Sequence, residues 1–148
     1  MFTLAQSRTA PKELIDFAKN EIQDVLMNVR SVNYVMLCST DGFELTHVYK
    51  RDGYNSTKLA AVSSSILAMV AAFMNEIHLE GCQSITLDAD NGKAILTSIP
   101  SSNHPMIIVT LTEKDVLLGQ LLYTLKNASN RVMQFYTLKN ASNRVMQY

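Results

Sequence analysis

From Leu59 to Met74 no residue carries a charge, and no other feature limits the fold as much. The run is shorter than the roughly 20 apolar residues a membrane span needs. It also contains Ser63, Ser64 and Ser65. Asn55, Ser56 and Thr57 before it can cap a helix start, so the spacing predicts a helix over about 56–79. Its large side chains (Leu59, Val62, Ile66, Met69, Val70, Phe73, Ile77) form one stripe, and Ala60, Ser64, Ala68, Ala71 and Ala72 form another. A helix apolar or small on most sides is buried on most sides. The large stripe is expected on a sheet, and the small stripe leaves room for a second helix.

Other segments supply the rest of the layers. After Pro11, Ile15, Ala18, Ile22, Val25, Leu26 and Val29 recur at helical spacing, predicting an amphipathic helix over about 11–30. Tyr34–Cys38 and Met106–Leu111 are apolar on both alternating faces, as central strands are. Segments 43–49 and 82–88 alternate more openly and read as edge strands. In 82–88, Ile85 and Leu87 point inward, and Ser84 and Thr86 outward. Asp41-Gly42 and Asn91-Gly92 are the expected hairpin turns. Thr112 and Asp115 are placed as a capping pair for a last helix carrying Leu118, Leu121, Leu122, Leu125, Ala128 and Val132. The order is α-ββ-α-βββ-α, an α+β fold.

The chain has 148 residues, 13 basic and 13 acidic, with a pI near 6.8. That balance lacks the basic excess of a general nucleic-acid binder. Tyr123–Gln134 recurs letter for letter as Tyr136–Gln147. On a continuous helix that shift turns each copied side chain by about 220°. The second copy therefore cannot reuse the first copy's packing, and 136–148 is expected to fray or project. The organisation reads as an arm over 1–11, a domain over 12–135 and a duplicated tail over 136–148. Without the tail's Lys139 and Arg144 the chain falls to a net charge of −2.

No active site emerges. Neither a phosphate loop nor a dinucleotide fingerprint is present, and Asp88–Gly92 lacks the ligands of a calcium loop. His47, His78 and His104 have no metal spacing, and His78 suits a helix C-terminus. Cys38 and Cys82 read as buried thiols of a reducing cytosol. The apolar run after Met1 is too short for a signal-peptide core. Catalytic residues, cofactors and metals are all expected to be absent. Arg51, in the polar loop after the second strand, is the one candidate for a charge contact with a partner's phosphate.

Met36-Leu-Cys-Ser-Thr-Asp-Gly-Phe-Glu-Leu45, the Ser/Ala-rich helix over 57–79 and Asp90-Asn-Gly-Lys-Ala-Ile-Leu96 together resemble the Roadblock/dynein light chain family, over about 12–134. The resemblance implies a profilin-like five-stranded antiparallel sheet in the order 2-1-5-4-3, the central helix on one face and the terminal helices on the other. It also implies homodimers that pair central helices and third strands, which here falls on Ala60, Ser64, Ala68 and Ala71, with Ser84 and Thr86 at the edge. Family members are non-catalytic cytoplasmic scaffolds and regulators of Ras-like small GTPases, including a bacterial gliding-motility type, or adaptors in dynein complexes. The implied function is a homodimeric GTPase regulator with no nucleic acid and no membrane span. A structural adaptor without a GTPase is the alternative. A ligand-sensing module ranks behind both, because the apolar stripes look filled.

Overall fold

The computed structural model describes residues 10–101, 103–135, 137 and 139. The expected arm over 1–11 and tail over 136–148 lie largely outside the described residues. The elements are α1 (Lys12–Asn28), β1 (Val32–Ser39), β2 (Glu44–Tyr49), α2 (Ser56–Glu76), β3 (Ser84–Ala89), β4 (Gly92–Ile99), β5 (Met106–Thr112) and α3 (Leu118–Met133). All strand pairs are antiparallel in the order β2-β1-β5-β4-β3. The two strands read as apolar on both faces, β1 and β5, are two of the three interior strands, β4 being the third, and the openly alternating ones are the edges.

The pleat sorts side chains into two cores. Val35, Leu37, Ile95, Ile99 and Ile108 face α1 and α3, which bury Leu14, Ala18, Ile22, Leu26, Leu121, Leu125 and Val132 against them. Tyr34, Met36, Cys38, Leu96, Ile107 and Val109 face α2. In α1 it is Leu14 that is fully covered, while Ile15 is only partly so. The antiparallel helices α1 and α3 are laced at four-residue steps. Arg131 pairs with the buried Glu21, Phe135 stacks on Phe17 with ring centres 4.8 Å apart, and Lys139 pairs with Glu13. Lys139 belongs to the duplicated segment, and its ion pair with Glu13 is a surface one.

Three local expectations are corrected. Ala89 pairs with Gly92, so the β3–β4 turn is Asp90-Asn91 and Gly92 already belongs to β4. Gly92 is needed for a different reason, because a Cβ there would lie 2.6 Å from the Thr112 carbonyl oxygen. Thr112 and Asp115 do not cap α3, which starts at Leu118 without a side-chain cap. Thr112 ends β5, and Asp115 accepts a 2.8 Å hydrogen bond from the Ser31 hydroxyl. Finally, Cys82 is only half-buried, unlike Cys38.

Candidate functional site

The helix α2 starts where the side-chain amide oxygen of Asn55 accepts from the Lys58 N–H at 3.1 Å, a side-chain cap of the usual kind. Its first turn is held to β2 by the Ser56 hydroxyl, which donates to Glu44 Oε2 at 3.0 Å. Glu44 also contacts His47 Nδ1, and the His47 ring stacks between Tyr34 and Tyr49. One turn later the β1–β2 loop presses on the helix. Gly42 has φ +93°, and a Cβ there would meet Ala61 Cα at 3.4 Å. The Ser64 hydroxyl donates to the Thr40 carbonyl beside it.

These contacts fix the rotation of α2, and it differs from expectation. Ala60 and Ser63 are the buried residues, set against the sheet with Leu59, Ile66 and Leu67 partly covered around them. Small residues let the helix lie close to its own sheet. Ala60 is fully buried inside the chain, so it cannot contribute area to a partner helix. Ser64 is largely spent on the β1–β2 loop. Ala68 and Ala71 are exposed. The large stripe is split too, because Val62, Met69, Phe73 and Ile77 lie 45%, 70%, 64% and 44% exposed. Val62, Met69 and Phe73 fall within about 40° of one another around the helix and make an apolar ridge on its outer side.

The helix is 21 residues long, with a mean hydropathy of 1.6 over its most apolar window. Length and composition alone would therefore let it cross a bilayer, which the uncharged run by itself did not suggest. It packs on the sheet through Ala60, Leu59, Ile66 and Leu67, and only Ala60 and Ser63 of its residues are fully buried.

The edge strand β3 is bare as well. Among the described residues it pairs only with β4, and Ser84, Thr86 and Leu87 are exposed, with Ile85 reaching the core under α2. The expected inward position of Leu87 is thus not filled, since the residue is 47% exposed. The hairpin is braced from the far side. Asp88 accepts from Lys114 at 2.6 Å and from Lys93 at 2.7 Å. Those two hydrogen bonds, Lys114 first, hold its carboxyl down to about 2.

The remaining candidates do not converge. Arg51 lies 3.2 Å from Glu113, with its side chain 69% exposed. His78 sits just past the end of α2 at φ +60°, and His104 lies in the loop before β5. Among the described residues no group of acids, cysteines and histidines could hold a metal ion. Burial, with the Glu44 charge behind it, pushes the Cys38 thiol up to about 12, so it stays protonated. The arrangement can bind another surface through the outer side of α2 and the β3 edge.

A Roadblock/LC7 domain model matches residues 18–112. No curated protein matches the chain in sequence. A solved structure described as MglB with tetrameric arrangement superposes with a TM-score of 0.76 at 15% identity, covering 86% of this chain and 93% of that one. The gliding protein MglB of Thermus thermophilus gives 0.74 at 15%, covering 86% and 94%. Myxococcus xanthus MglB gives 0.69 at 13%, covering 85% and 96%.

Proposed function

The chain belongs to the Roadblock/LC7 domain family, and on that premise we propose that it is a non-catalytic homodimeric scaffold of the cytoplasm. In this reading it binds a Ras-like small GTPase of the bacterial gliding-motility kind and modulates its nucleotide cycle. The observation that carries it is the exposed ridge Val62, Met69 and Phe73 on the same chain as an unpaired β3 edge. Large apolar patches and open strand edges mark surfaces that another chain covers. The interface is centred on Met69 and Phe73 with Ala68 and Ala71 beside them, and on Ser84 and Thr86 along the edge. Ala60 is left out because the sheet already buries it.

Pairing two copies would present one composite surface to a GTPase, whose switch loops order and disorder with nucleotide state. Arg51 could contribute a charge there only by leaving Glu113. The test mixes the purified protein with the small GTPase encoded nearest to its gene and follows GTP hydrolysis and nucleotide release. A changed rate that is lost in Ala68→Glu supports the reading. No binding and no rate change reject it, and a native pull-down that returns only proteins without a nucleotide site favours an adaptor.

A further inference from the structure

The margin between α3 and the β3–β4 hairpin is not filled. A cavity of about 330 Å³ opens there, on the sheet face opposite α2, with Leu122 and Met133 among its apolar lining. That volume lies at the lower end of the range of small-molecule sites. Thr97 also lines it, is only 5% exposed, and has a buried hydroxyl with no hydrogen-bond partner among the described residues. Buried hydroxyls are nearly always paired; those of Tyr34 and Thr110 are also unpaired among the described residues, and Thr97 is the one of the three that lines this cavity.

The charge on the lining has one sign. Lys126 lines the cavity, no acidic residue does, and Lys126 forms no ion pair among the described residues. The nearest acid on the hairpin, Asp88, is already held by Lys93 and Lys114. The segments outside the described residues carry Arg8 and Arg144 and no Asp or Glu. Lys126 is exposed and carries the only charge on this lining, so an anion entering the cavity would meet no acidic neighbour there. A single cation beside an apolar floor, with amide and hydroxyl groups of Asn130 and Ser84 at the rim, matches a carboxylate on a short apolar body.

We infer that the α3/β3–β4 cavity is a binding site for a small amphipathic carboxylate, of the medium-chain fatty acid class, with its head on Lys126 and its tail over Leu122 and Met133. This does not depend on dimer formation. The proposed pairing uses the β3 backbone edge and the α2 face, while the Ser84 side chain points to the cavity side, as its pairing with Thr97 requires.

Octanoate, octanol and octylammonium are titrated separately into the full-length, isotope-labelled protein, and amide shifts are mapped by NMR. Octanoate is expected to perturb Ser84, Thr97, Ser98, Lys126 and Asn130 and to bind at least about fivefold more tightly than octanol, the scale of one charge-assisted contact. Octylammonium is expected to bind more weakly still. Lys126→Gln should reduce the octanoate affinity to that of octanol, and Thr97→Val should weaken it without unfolding the chain. Equal affinity for octanoate and octanol overturns the carboxylate assignment. Shifts confined to the α2 ridge, or no saturable shifts at all, overturn the site.

Discussion

Both faces of the sheet carry helices, yet only one is finished at its centre, with the cavity beside Thr97 left at its margin. On the α1/α3 face two helices pack on the strands and on each other, and Leu14, Ile22, Leu26, Leu121 and Leu125 are at most 2% exposed. On the other face α2 lies alone. Its inner side is closed by Ala60 and Ser63, and its outer side leaves Met69 and Phe73 mostly exposed. Both faces carry apolar strand residues, and they differ in what covers them. The α1/α3 face holds the chain's own fold together, and the outer side of α2 is left for something else to cover.

The largest effect that would sharpen this contrast belongs to the finished face. Leu121→Ala should cost about 2–5 kcal/mol of folding stability by chemical denaturation, the range for a leucine truncated in a close-packed core. A cost below 1 kcal/mol would mean that α3 packs loosely. Gly92→Ala comes next. Its Cβ would meet the backbone oxygen of Thr112, which cannot move without shifting β5, so a loss of about 1–3 kcal/mol is expected in the same assay. Gly53→Ala is a weaker control, strained by its φ of +123° but with open space around its Cβ.

Alkaline pH should single out the α2 face. It carries Cys38 and Tyr34, both pushed up to about 12 chiefly by burial, with Glu44 adding to each. Their ordinary values are 9.0 and 10.0. Between those values and 12 the unfolded chain loses protons that the folded chain keeps. Stability from these groups is therefore intact below about pH 9 and falls as the pH rises to 12. Tyr34→Phe combined with Cys38→Ala should flatten that fall in a pH series of denaturation midpoints. If the decline persists unchanged, the alkaline weakness lies elsewhere.

The smallest effect on the fold itself is expected from Phe73→Ser. The side chain is 64% exposed, so the isolated fold should change by no more than about 0.5 kcal/mol. The proposed dimer should dissociate, seen as a halved mass in light scattering at micromolar concentration. A Phe73→Ser protein that loses as much stability as Leu121→Ala would erase the contrast between the two faces.

Much of this was legible in the residues. Strand centrality followed from counting apolar residues on both faces of Tyr34–Cys38 and Met106–Leu111, because a strand between two helix layers has no solvent side. Arg131 and Glu21 were not paired in advance, since a contact across 110 residues leaves no local periodicity. The cavity beside Thr97 was missed for a related reason. It is the gap that α3 leaves by covering β4 and stopping short of β3, and no stripe on either element records where a neighbour ends.

Residue spacing alone set the order of elements, two of the three interior strands and the presence of one helix with a long uncharged run. Those are set by short-range spacing, which turns and pleats translate directly into faces. Packing in three dimensions settled which side of α2 meets the sheet and what Gly92 is for. A helix that is apolar nearly all round has no polar side to fix its rotation. Its orientation came from steric fit, with Ala60, Ser63 and Ser64 admitting the sheet and the Gly42 turn, and the larger Val62, Met69 and Phe73 left outside.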